Sequence, residues 1–268
     1  DVSLADFLNH TGMDVEELYR GDRGWSDLRQ EAGLPVEPSG PDERLLRRAV
    51  GRLLHVDDPE RIDAYQRIAK SARIRTSFDQ VAADARSLRV TRMLMGSLFD
   101  QIVDSKEPLR TSYQRLQDHP QVLNELMDLL QVLRESTSHL TTSLQDRPNV
   151  PLAIHGRYTR VEILAAFGHG NPELTKVANW QSGVMWLGPE MADLLTITMD
   201  KTHDAFRPTM KYRDYAIDRH HVHWESQSAT REDSKTGLRY QQHEARGSDV
   251  FLFARHHRGE RAYYLLGG

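Results

Sequence analysis

Positions 220 to 235 read HHVHWESQSATREDSK, a stretch dense in side chains that can do chemistry. If it is a strand, alternation puts His221, His223 and Glu225 on one face and His220, Val222, Trp224 and Ser226 on the other. Two imidazoles and a carboxylate at that spacing suit zinc or a non-haem metal. Such a site needs a distant ligand to close it, and none is identifiable, so an exposed strand face without metal competes with that reading. Ser226, Gln227, Ser228 and Thr230 then supply short donors and acceptors that can read the edge of a planar polar group. Trp224 beside them offers a stacking face, and Tyr212 and Tyr215 offer more. Aromatic, amide and hydroxyls together are equipment for holding a nucleobase; the alternative is a polar loop around one buried tryptophan.

Other motifs carry less. Glu232-Asp233-Ser234-Lys235 has the residue types of a metal nuclease but falls in a predicted loop, whereas that chemistry needs them fixed on a strand around Mg²⁺. LLHVDDPER contains His55, Asp57 and Asp58, all metal-ligand types, but Asp58 before Pro59 is an ordinary helix start and Asp57 adds charge at its positive end. In HGRYTR, Arg157, Tyr158 and Arg160 stand at a helix start, where guanidinium and backbone N–H groups can hold a phosphate; capping and packing are the alternative. No phosphate loop ending in Gly-Lys-Ser/Thr and no His-x-Lys pair is present, so neither ATP hydrolysis nor a catalytic residue is assigned to this chain. The absence of cysteine excludes disulfides, thiolate-bound zinc and thiol nucleophiles.

The elements that must position these residues change character along the chain. Ser3, Asp14 and Ser26 read as N-caps of short helices stopped by Gly12, Gly21 and Gly33, giving a small helical unit over 1–34 that is either a plain connector or a helix-turn-helix module. A Pro/Gly-rich linker, LPVEPSGPDE, follows. Apolar residues then recur at helical spacing through 41–136, from Leu46, Val50 and Leu53 to Leu126, Leu129 and Leu133, and predict a bundle of about four or five helices. After the polar stretch 136–151, Thr159 and Glu162 form a capping box for one helix, and the period shortens to two. QSGVMWLG, DLLTITMD, YRDYAID, HHVHWES, DVFLFARH and RAYYLL read as strands, with a second helix at TGLRYQQHEAR. The predicted fold is α+β: an all-α connector, then a compact sheet or small barrel over 150–268.

Composition sets outer bounds. A net charge of −4 argues against a protein that coats nucleic acid through a basic surface, though not against a local groove. Nine of the 13 histidines lie after residue 150, which directs attention to that half. No apolar run approaches the roughly 18 residues of a membrane span, so the expected setting is the cytoplasm without membrane partners. The chain starts at Asp1 and ends Leu265-Leu266-Gly267-Gly268, and is expected to be a piece of a longer protein.

VPLAIHGRYTRVEILAAFG, FRPTMKYRDYAIDRHHVHWESQSATREDSKTGLRYQQH and SDVFLFARHHR closely resemble a bacterial family, domain of unknown function 3427. SLADFLNHTGMDVEELYR, LLHVDDPERIDAY and RVTRMLMGSLFDQI look like the helical segment that precedes it in DEAD/DEAH-box superfamily-two helicases, which often begin with a phospholipase-D-like nuclease domain. The resemblance implies the C-terminal arm of an ATP-dependent DNA helicase of a restriction or anti-phage system. ATP and Mg²⁺ would then belong to the helicase part, and this chain's partners would be DNA, single- or double-stranded, and the helicase and nuclease domains of its parent. It also implies similarity to barrels of the pseudouridine-synthase-archaeosine (PUA-like) class, whose relatives grip a flipped or modified base. Family sequences continue past the strand matching RAYYLLGG, so the last strand is expected to be cut short.

The expected function is a non-catalytic recognition arm, with Trp224, Ser226, Gln227, Ser228, Thr230, Tyr212, Tyr215 and His223 around a base and Arg157, Tyr158 and Arg160 at phosphates. One rival is a protein-interaction or autoinhibitory module. The other is a metal-dependent nuclease using His221, His223 and Glu225.

Overall fold

The computed structural model describes residues 2–21, 23–37, 40–199, 215–218, 221–226 and 230–268. The chain divides into two compact units, 1–178 and 179–268. Helices build the first and a mixed sheet the second.

The first unit opens with α1 (Leu4–Thr11), α2 (Val15–Leu18) and α3 (Trp25–Glu31). Ser3 and Asp14 cap the first two, and Gly12 ends α1 in the left-handed region at φ 68°, where a side chain would be strained. Ser26 is not a cap. The third helix starts two residues earlier, capped at Gly24, whose N–H donates to the Asp27 carboxylate (2.9 Å). Ser26 is buried, and its N–H, with that of Trp25, donates to Glu125 (3.2 and 3.0 Å). A Cβ on Gly24 would stand 2.2 Å from the Glu125 carboxylate, so only glycine admits this approach.

Six helices follow: α4 (Glu43–Gly51), α5 (Pro59–Arg73), α6 (Phe78–Val81), α7 (Ala85–Phe99), α8 (Leu109–Gln117) and α9 (Pro120–Ser136). The single turn α6, set off by a Ser77–Gln80 box, is too short to show as an apolar repeat. Leu46, Leu53, Ile62, Ile68, Met93, Leu94, Leu126 and Leu129 are buried, as their 3.6-residue spacing requires. Two short strands, β1 (Thr142–Ser143) and β2 (Ala153–Ile154), pair antiparallel, and β3 (Arg157–Thr159) leads into α10 (Arg160–Ala166). The last of these packs on α7. Its capping box forms as the sequence predicts: the Glu162 N–H donates to the Thr159 hydroxyl and the Thr159 N–H to the Glu162 carboxylate.

In the second unit β4 (Val184–Leu187), β5 (Ala192–Thr198), β8 (Asp249–Arg255) and β9 (Ala262–Gly267) lie side by side in that order. The β5–β8 pair is parallel and the other two pairs antiparallel. Between β5 and β8 the chain forms the hairpin β6 (Tyr215–Ala216) and β7 (Val222–His223), then α11 (Lys235–Gln241). Ser234 caps α11 by accepting from the Gly237 N–H (3.1 Å), and a Cβ on Gly237 would lie 2.2 Å from the Arg231 carbonyl oxygen. The α+β class therefore holds. The barrel does not: among the described residues the strands form an open mixed sheet, whose parallel centre needs a long crossover between β5 and β8. Among the same residues, no helix is long and apolar enough to cross a membrane.

Candidate functional site

In the second unit the sequence places an acid inside an apolar strand, ADLLTIT, and that acid organises the surface around it. Asp193 is fully buried on β5 and takes a two-pronged bond from the Arg239 guanidinium of α11 (2.7 and 2.8 Å). Held there, the guanidinium lies over the Trp186 ring, 4.2 Å from its centroid, and 5.5 Å from that of Tyr240. Tyr240 in turn meets Trp224 edge-to-face at 5.3 Å and 86°. Burial, then the Asp193 charge, push the Tyr240 hydroxyl up to about 12, so it remains a donor at neutral pH. Trp186, Arg239, Tyr240 and Trp224 are all half-buried and form one continuous ledge of flat groups.

Trp224 is thus neither sealed in the core nor isolated. Ser226, also half-buried, donates to the Thr230 carbonyl oxygen (3.3 Å). Tyr215 pairs with His223 across β6 and β7. Tyr212, Gln227 and Ser228 lie outside the described residues. His221 does not face His223 as a ligand pair: its ring nitrogen bonds Asp218 (2.9 Å) in the hairpin turn, and His223 stands 3.8 Å from Glu225. Among the described residues no three His, Asp or Glu side chains converge as a metal site would need. Asp233 pairs with Arg231, and Ser234 is a helix cap.

The other predicted residues belong to a separate arrangement in the first unit. There the residues that read as metal ligands before α5 instead clamp the segment around β3. Asp58 caps α5 and accepts from the Tyr158 hydroxyl (2.7 Å), while Asp57 accepts from the backbone N–H and guanidinium of Arg157 (2.8 and 2.9 Å). Tyr158 is fully buried, its oxygen also accepting from the Ala153 N–H (2.8 Å). Arg157 and Tyr158 thus take a structural role, bonded to carboxylates: Tyr158 has no surface left for a phosphate, while the Arg157 side chain stays 35% exposed. Arg160 opens α10 with its Nε buried.

Beneath this clamp, Glu162 is fully buried and receives Arg61 (3.0 Å), the Tyr65 hydroxyl (3.0 Å) and the His55 ring (2.6 Å). Burial alone would push the carboxyl up, but the facing His55 and Arg61 more than offset this and hold it well below the usual carboxylate range. Arg61 also donates to the Arg157 carbonyl (2.7 Å) and lies 4.2 Å over the Tyr158 ring.

Sequence reasoning missed Asp193, Trp186, Arg239 and Tyr240, and saw Glu162 only as half of a capping box. The available signals were an acid inside an otherwise apolar strand, which needs a buried cation, and the arginine of the helix TGLRYQ.

No curated protein matches the chain. Residues 152–268, the segment from β2 through α10 together with the whole second unit, match the family described as Domain of unknown function (DUF3427).

Proposed function

We propose that the chain is the substrate-recognition arm of an ATP-dependent DNA helicase, binding DNA and holding a flipped or modified base without catalysis of its own. The observation that carries the reading is the aromatic ledge, on which Trp224 keeps a partly exposed indole next to Tyr240 and the guanidinium-covered Trp186. Stacking on such faces holds a base whatever its sequence, at about 1–3 kcal/mol per base. The helicase parentage rests on the resemblance of 3–20, 53–65 and 89–102. Kinship to base-gripping PUA-like folds is part of the same proposal and rests on the family resemblance alone, since the sheet is open among the described residues.

The ledge itself attracts few phosphates. Arg239 is balanced by Asp193, and on the segment that carries it, 231–246, Lys235 and Arg246 are the cations with no carboxylate partner among the described residues. Two such contacts give a log–log salt slope of about −1.4 for a single strand, a loss of about sevenfold between ~50 and 200 mM salt. Titrating the protein with a short single-stranded oligonucleotide at those two salt concentrations, read by quenching of tryptophan fluorescence, checks this. A steep loss of about a thousandfold would mean many phosphate contacts and shift the reading from a base-holding ledge to an electrostatic groove.

A further inference from the structure

The first unit contains a cleft of about 480 Å³ between α5, α6, the start of α7 and residues 151–153, within the ~300–1,000 Å³ of small-molecule sites. Its floor is apolar: Ala64, Ile68, Val90 and Leu152. The acids around it are already spent. Asp58 holds Tyr158, Glu60 holds Arg86 (3.2 Å) and Asp63 holds Arg134 (3.1 Å). Arg61 is spent on Glu162, and Arg86 also donates to the Pro148 and Val150 carbonyls.

Three donors remain. The exposed Arg67 guanidinium and the Ser71 hydroxyl, one turn apart on α5, line the cleft and have no partner among the described residues. Gln80 of α6 faces the same space; its amide oxygen accepts from Ser77, and its NH₂ is likewise without a partner among those residues. A guanidinium, a hydroxyl and an amide N–H₂ above an apolar floor are complementary to an anionic head on a flat or aliphatic body. We propose that this cleft is a second binding site, distinct from the ledge, for an organic phosphate of mononucleotide size, its phosphate on Arg67, Ser71 and Gln80 and its base on the floor. The phosphate can come from a free nucleotide or from the 5′ end of a strand. The proposal does not depend on the reading of the ledge.

The test is calorimetric titration of the full chain with deoxyadenosine monophosphate, deoxyadenosine, inorganic phosphate and a 5′-phosphorylated oligonucleotide. The monophosphate should bind at least tenfold more tightly than either of its parts. Arg67→Ala should weaken it tenfold or more without moving the unfolding midpoint, since Arg67 is exposed and makes no bond among the described residues. Ala64→Leu, which fills the floor, should weaken it as strongly, and Trp224→Ala should leave it unchanged. If the 5′-phosphorylated oligonucleotide displaces the monophosphate in an Arg67-dependent way, the strand end is the source; if it does not, the free nucleotide is, and both results support the site. No binding of the monophosphate, or equal binding by wild type and Arg67→Ala, overturns it.

Discussion

Arg61→Met is expected to destabilise the first unit by about 3–5 kcal/mol, the usual cost of stranding one partner of a buried ion pair. Glu162 is fully buried, and its carboxyl stays ionised because Arg61 and His55 face it. Without Arg61 it keeps His55, Tyr65 and Thr159 as partners, but loses its one permanently charged partner, and the Arg157 carbonyl loses its partner too. The whole cost should appear as a lower urea midpoint in circular dichroism. Adding Glu162→Leu to the same chain should recover part of the loss, because the stranded charge goes with it, while the capping box at Thr159 remains broken at about 1 kcal/mol. A change within about 0.5 kcal/mol for the single variant would show that the network is not the clamp described above.

Asp193→Asn acts on the second unit by the same physics with a smaller cost, about 2–3 kcal/mol, because Arg239 keeps 14% of its side chain in solvent and can rehydrate. Here stability and function are coupled. The carboxylate fixes the guanidinium over Trp186, so its loss should both lower the melting temperature and weaken oligonucleotide binding severalfold. A variant that melts lower yet binds as wild type would detach the ledge from the ion pair beneath it.

How far the fold was legible follows from which interactions are local. Thr159 with Glu162, Asp58 with Pro59, and the apolar repeats of α5, α7 and α9 are set within a turn or two, and the sequence shows them directly. The open sheet was not legible, because pairing β5 in parallel with β8 depends on segments more than 50 residues apart. Ser26 was misplaced because the cap at Gly24 needs Glu125, a hundred residues along the chain. The candidate site divides the same way. The residue types of HHVHWESQSAT mark Trp224, whereas the neighbours that make it a ledge come from β4, β5 and α11, and only the folded sheet brings them together. The bonds of Arg157 and Tyr158 were not legible for a related reason: an arginine and a tyrosine at a helix start fit a phosphate as well as they fit Asp57 and Asp58, and only the packing of α5 brings those carboxylates to them.

The most direct measurement is the oligonucleotide titration repeated on Trp224→Ala at one fixed salt concentration. Losing one stacked base should weaken binding about 10- to 100-fold while the unfolding profile stays that of the wild type. Undiminished affinity in a folded Trp224→Ala chain would contradict the claim that bases are held on this ledge.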